Sequence, residues 1–379
     1  MSLSRRTAIG LLPAASVLFG TQIAAAQDAI KIGVTAPLSG PAAEIGHLQL
    51  EGARLGVEKV NAAGGVLGRQ LELVVEDDQT TNPGIVLAFS RLINRGDIVA
   101  ALTSVRSTQV NAIAGDAEKA GIPVFFGGTD PTLTHLGNPW MFRMRPNDTY
   151  SAKVFADFGV NQLGKRKWAV LHSTDAFGTN GSKALIAQLK ELGIEPVLVQ
   201  TTNNGQVDFS PVVLAVRQSG ADIIATYIPF ENDLAVLGRQ LQQLGVKATL
   251  IGNAAIISAT TMKLAGPALY GSYAVTDFNP EANPVAKAYH QEFSAKVGAA
   301  ADYASAWTYD SILVLAQAIK AAGSTEPAKL REALLAIRGF EGAVGTYNFD
   351  ENGDGLRGYN IVRNDQGKVI FDRHISFTQ

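Results

Sequence analysis

The chain has 379 residues, of which 46% are hydrophobic and only 17% charged, with 38 glycines, 15 prolines and no cysteine. That length points to two or three domains and supplies ample material for buried cores. Thirty-two basic against 34 acidic residues leave a formal charge of −2, which is not the basic surface that nucleic acid or an anionic membrane rewards, and the missing cysteine excludes disulfides, thiolate chemistry and a lipid-bearing cysteine.

Residues 1–26 read as a cleaved export signal. Ser4-Arg5-Arg6 leads into the weakly apolar run Ala8 to Phe19, and Ala24-Ala25-Ala26 supplies a small-residue cleavage pattern. The paired arginines suggest the twin-arginine route, with Ala8 standing where that signal usually has Phe; an ordinary Sec signal is the plainer alternative. A membrane anchor needs about 20 strongly apolar residues, and this segment is too short and too rich in Gly, Thr and Pro. Cleavage removes two arginines and no acid, so 32 − 2 = 30 bases would face 34 acids, a balance of −4. The mature protein is expected free in a bacterial periplasm. It is expected to be monomeric, since nothing in the sequence marks an oligomer interface.

From Ile30 onward short apolar strands alternate with amphipathic helices. Strands are expected over Ile30–Thr35, Leu71–Glu76, Ile98–Leu102 and Val124–Phe126, and helices over Gly46–Ala63, from near Pro83, and over Thr108–Ala120. This alternation implies a parallel sheet covered by helices on both faces. Near Asn147 the pattern restarts, with strands at Trp168–His172, Pro196–Gln200, Asp222–Tyr227 and Thr249–Ile251 and helices at Gly178–Leu192 and Asp233–Leu244. Between them lies a helix with Ser210 as N-cap, Pro211 at its first position, and Phe209, Val212, Val213 and Val216 as its apolar stripe. After Asn283 come helices near 284–297, 303–322 and 327–336, then strands at 346–349, 359–363 and 368–375. These have no sheet of their own and are expected to return to the earlier lobes.

No catalytic or metal constellation stands out. The five histidines are scattered, without a His pair at i, i+4, and nucleophile-elbow, phosphate-loop and dinucleotide-loop patterns are absent. The protein is therefore expected to be no enzyme and to need no cofactor. Asp350-Glu351-Asn352-Gly353-Asp354-Gly355 imitates the start of a calcium loop, but Ile361 stands where a bidentate Glu is required, so a polar turn is expected. Glu76-Asp77-Asp78 at a strand end suits a solvated or helix-capping cluster better than a cation site.

Ligands of open parallel sheets bind beyond the carboxyl ends of the strands, so two facing lobes would share one cleft. Ser104, Arg106, Ser107 and Thr108 precede a helix, where hydroxyls, free N–H groups and the positive dipole end suit a carboxylate; simple capping by Ser107 is the alternative. Gly127 and Gly128 would let a ligand approach the backbone, and Thr129 adds a hydroxyl. Phe177 and Phe230 occupy loops that would ordinarily be polar, which suits an apolar wall.

These segments resemble the branched-chain amino-acid (Leu/Ile/Val) binding protein family, the type I periplasmic binding proteins of ABC importers. The likeness runs from Ile30-Lys31-Ile32-Gly33-Val34 and Pro37-Leu38-Ser39-Gly40 through Val60-Asn61-Ala62-Ala63-Gly64-Gly65-Val66-Leu67-Gly68-Arg69 and Glu76-Asp77-Asp78. It continues in Ala120-Gly121-Ile122-Pro123, Phe142-Arg143, Arg145-Pro146-Asn147-Asp148, Phe177-Gly178, Asp208-Phe209-Ser210 and Gly345-Thr346-Tyr347-Asn348-Phe349-Asp350. The resemblance implies an α/β fold of two Rossmann-like lobes joined by a three-strand hinge: 27–147 plus 278–352, and 148–277 plus 353–379. It implies a small organic solute as ligand and ABC permease subunits as partners, with no nucleic acid. Transferred by position, the family's carboxylate site falls on Gly127 and Thr129, with Val105 in place of its serine. The side-chain wall falls on Ile45, the two aromatics on Phe177 and Phe230, and the acid that holds an α-ammonium on Ala254, beside Asn253. The lost acid argues against a zwitterion and for an apolar or aromatic carboxylate, because a buried unpaired ammonium costs several kcal/mol. Asp277 or Glu231 supplying that charge instead would keep an amino acid possible.

Overall fold

The computed structural model describes residues 28–377; the expected export signal lies outside them. The chain runs β1 (Ile30–Ala36), α1 (Ala43–Ala62), β2 (Leu71–Asp77), α2 (Asn82–Ile93), β3 (Ile98–Leu102), α3 (Ser107–Ala120), β4 (Val124–Phe126) and β5 (Met141–Arg143). It continues through α4 (Asp148–Asp157), β6 (Trp168–Ser173), α5 (Ala176–Glu191), β7 (Leu198–Thr202), α6 (Ser210–Ser219), β8 (Ile223–Tyr227), α7 (Glu231–Gln243), β9 (Thr249–Asn253), α8 (Ala259–Ala265) and β10 (Tyr273–Thr276). It closes with α9 (Pro284–Val297), α10 (Tyr303–Ala322), α11 (Pro327–Leu335), β11 (Phe340–Glu341), β12 (Thr346–Tyr347), β13 (Gly358–Asp365) and β14 (Lys368–Ser376).

The first sheet has the order β2-β1-β3-β4-β5 and is parallel throughout. The second has the order β14-β13-β10-β9-β8-β6-β7, in which only the β10–β13 and β13–β14 pairings are antiparallel. The inner strands are apolar and buried on both faces, as helix-covered parallel sheets require. The returning helix α10 packs on α1 at such close range that a Cβ on Gly52 would lie 2.1 Å from the Ser305 carbonyl oxygen. Thr308 secures this contact by donating to the Gln49 carbonyl at 2.7 Å.

The chain crosses between the sheets three times, and buried charge ties the crossings together. Arg143 pairs with Asp354 at 2.5 Å and donates to the Gly128 and Asp130 carbonyls. Arg145 grips Asp277 through two nitrogens, each at 2.7 Å. That carboxylate holds the Arg145 guanidinium more firmly protonated than usual, against the effect of burial.

Some expectations are corrected. The N-cap of α6 is Phe209, not Ser210; the helix begins one residue earlier than the Ser-Pro signal implied, and Asp208 accepts the Ser210 N–H at 2.9 Å. Strand β7 starts two residues later than Pro196, and β5, α4, α8, β10 and β11 were not anticipated, being short or weakly periodic. The 350–355 segment is a turn: Asp350 accepts the N–H groups of Asn352 and Asp354. Among the described residues no cluster could hold a metal ion, and no helix is long and apolar enough to cross a membrane.

Candidate functional site

A cavity of about 290 Å³ lies between the sheets, beyond the carboxyl ends of β3, β4, β6, β8 and β9. It falls at the small end of the ~300–1,000 Å³ range of ligand pockets. One wall comes from the loop after β3 and the first turn of α3, namely Val105, Arg106, Ser107 and Thr108, with Thr129 behind it. The facing wall carries Phe177, Pro229 and Phe230, then Asn253, Ala254 and Ala255 after β9.

The two halves touch around this cavity. The Arg106 guanidinium lies over the Phe230 ring, 4.0 Å from its centroid. Asn180 donates to Asp130 at 2.7 Å, and the Tyr303 hydroxyl donates to Glu231 at 3.2 Å. Thr260 donates to Glu44. The lobes are thus closed on one another.

Arg106 is the cation of the site. Its Nε is buried without a hydrogen-bond partner, and no carboxylate among the described residues lies within ion-pairing distance of its guanidinium. It is also the N-cap of α3 and gives that helix no side-chain cap, so the first-turn N–H groups and the positive end of the helix face the same place. The acids near the cavity are otherwise engaged. Asp175 accepts from the Ser173 hydroxyl, the Gly178 N–H and Asn204. Asp148 accepts from Thr129 at 2.7 Å and Ser151 at 2.9 Å, and burial pushes its carboxyl up to about 7 against the pull of those hydroxyls and of Arg145. Glu231 is also raised by burial, a shift that Arg106 opposes. The site therefore offers one cation without an ion-pair partner, while the carboxylates around it accept hydrogen bonds from other protein groups.

The structure brings Val105, Arg106, Ser107, Thr129, Phe177, Phe230, Asn253 and Ala254 to this cavity. Four other candidates lie elsewhere. Ser104 is fully buried beneath the loop, where its hydroxyl bonds Gln109 at 2.5 Å and accepts the Arg106 N–H. Gly127 and Gly128 are glycines for packing rather than ligand approach: a Cβ would lie 2.9 Å from the Trp307 ring and from Leu133, respectively. Their carbonyls accept from Arg145 and Arg143. Ile45 is buried and lines a neighbouring cavity. Ser107 accepts the Asp130 N–H at 3.1 Å through its side chain, so the capping role first considered for it is not the one seen. Asp277, one candidate for a ligand-facing charge, is consumed by Arg145.

Sequence reasoning missed Arg145, Asp148, Asp175, Asn204, Tyr303 and Tyr359 on the cavity wall. Tyr303 and Tyr359 belong to the returning C-terminal segments, and no local pattern connects them to the cleft. Arg145 and Asp148 had a usable signal, since charged residues in an otherwise apolar crossing segment require partners.

Residues 29–368 match a family model described as periplasmic binding protein. The chain is 30% identical to an amino acid binding protein of Pseudomonas aeruginosa, covering 90% of this chain and 91% of that one. It is 28% identical to a leucine-, isoleucine-, valine-, threonine- and alanine-binding protein of the same organism, covering 87% and 88%. The crystal structure of a leucine-binding protein from Thermotoga maritima superposes with a TM-score of 0.85 at 27% identity, covering 92% of this chain and 99% of that one.

Proposed function

This chain belongs to the periplasmic binding protein family, and on that footing we propose that its cavity takes a small apolar or aromatic carboxylate. The protein is a periplasmic solute-binding component of an ABC importer of the branched-chain amino-acid type, and it is not an enzyme. The observation that carries the ligand class is the unpaired Arg106 guanidinium at the start of α3, facing a wall built from Phe177, Phe230 and Ala254. A carboxylate there would gain charge-assisted hydrogen bonds and the helix dipole, while its apolar body would displace water from the opposite wall. A ligand in contact with both lobes stabilises the closed form by its higher affinity for it. That closed form is what the permease would recognise.

We take the lobes as 27–147 plus 278–352 and 148–277 plus 353–379, the mature protein as a monomer, and residues 1–26 as a cleaved signal of the twin-arginine type. A second reading, an aliphatic amino acid, is favoured by Asp148, whose carboxyl lines the same cavity and would ionise beside an ammonium. Thermal shift of residues 27–379 against monocarboxylates, aromatic acids, 2-oxo acids, amides and branched-chain amino acids separates the two, because bound ligand raises the melting temperature by mass action. Shifts with acids that lack an amine support the carboxylate site. A shift with leucine or valine alone overturns it in favour of the amino acid.

A further inference from the structure

A second cavity, of about 430 Å³, adjoins the first between the two lobes. Ala254 and Tyr303 belong to the walls of both. The boundary between them is thus a methyl group on one side and, on the other, a phenol whose hydroxyl is held away by Glu231 at 3.2 Å. Any larger side chain at position 254 would project into this boundary.

The second chamber differs in character from the first. Its wall includes Ile45, Leu48, Ile257, Met262, Phe278 and Ala301. Most of its polar side chains spend hydrogen bonds on other protein groups; an exception is His290, whose Nδ1 is buried without a partner. Asp302 accepts the Ala304 and Ser305 N–H groups at the start of α10, and Ser258 caps α8. Asn279 accepts the Glu281 N–H, Thr276 donates to the Phe278 carbonyl, and Glu44 accepts from Thr260. Arg106 is absent from this wall. The chamber has apolar surface to cover and little to offer a charged head group.

We infer that the second chamber receives the distal, apolar part of the solute, so that the protein binds carboxylates with an extended alkyl or aryl tail. The inference rests on the carboxylate reading of the first cavity. The head group would stay at Arg106 and α3, and the tail would pass between Ala254 and Tyr303 to rest against Ile45, Ile257 and Met262. Length of the tail, rather than branching, is then the property selected.

The test is calorimetric titration of unbranched monocarboxylates of increasing length and of phenylalkanoates into the mature protein, alongside Met262→Trp and Leu48→Trp. Both positions line only the second chamber, and the two variants fill it from different helices. Wild-type affinity should rise about fourfold per methylene, the increment for burying one CH₂, and continue to rise for acids too long for the first cavity. The variants should bind short acids as the wild type does and lose the gain for long ones. If short acids bind but affinity stops rising once the first cavity is filled, or if both variants bind long acids as well as the wild type, the tail chamber is refuted while the carboxylate site stands. If no monocarboxylate of any length binds, the carboxylate reading fails and the tail chamber fails with it.

Discussion

Arg106→Gln removes the one cation at the cavity wall that lacks an acidic partner, while keeping most of the side chain's length and its hydrogen-bonding capacity. In the wild type the guanidinium would form two charge-assisted hydrogen bonds with a bound carboxylate, each contributing about 1.5–3 kcal/mol. Glutamine replaces at most one of them with a neutral bond. The expected loss is therefore about 3 kcal/mol, or on the order of 100-fold in Kd. The contact with Phe230 at 4.0 Å also goes, but a partly exposed cation–π contact contributes only about 0.5–1 kcal/mol. The ligand-free melting temperature should thus hardly move. Titration calorimetry with a carboxylate and its primary amide isolates the charge: the acid should weaken on the order of 100-fold in the variant and the amide by no more than about threefold. Equal weakening of acid and amide, or no weakening of the acid, would show that Arg106 does not bind the head group.

Asp277→Asn leaves the buried Arg145 guanidinium without its counter-charge and should cost about 3–5 kcal/mol in urea unfolding; a loss below about 1 kcal/mol would mean that the crossing does not depend on this pair. Gly52→Ala drives a methyl into the Ser305 carbonyl and should cost at least about 1–3 kcal/mol, whereas Gly115→Ala, on the exposed side of α3 with nothing within 4 Å, should stabilise by about 0.5–1 kcal/mol. Thr129→Ala removes a hydroxyl that favours ionised Asp148, so the carboxyl of Asp148 should titrate higher still, as followed by carbon-detected NMR. Stability should fall as pH rises through the neutral range. Burial pushes the Asp310 carboxyl up to about 7 even though it accepts from the Ala343 and Val344 N–H groups and Tyr347, and it pushes Asp302 up to about 6. Such groups hold more protons folded than unfolded, so stability is lost between the unfolded value near 3.8 and the raised folded one. The urea midpoint should be higher near pH 5.5 than near pH 8 and Asp310→Asn should flatten the difference; an equal or opposite trend in the wild type would contradict this.

Much of the fold was legible because hydrophobic periodicity reports burial directly. Strands β3 and β4 and helices α9 and α10 lie where the pattern placed them, bounded by Gly, Pro and capping residues whose backbone preferences act locally. Short elements such as β5 and β10 escaped, since three or four residues carry too little periodicity and owe their pairing to neighbouring strands. Phe177 and Phe230 were legible as cleft residues because an aromatic side chain on a post-strand loop is out of place without a wall to join.

From its order of residues alone the chain determined its alternation of strands and helices, because that pattern rests on interactions between near neighbours. Whether Arg106 had a partner, whether Gly127 faced a ligand or Trp307, and whether Ile45 lined the first cavity or the second were settled by residues tens to hundreds of positions away. Those outcomes depend on which surfaces the two sheets and the returning α10 bring within a few ångströms of one another, and that proximity is a property of the packed molecule.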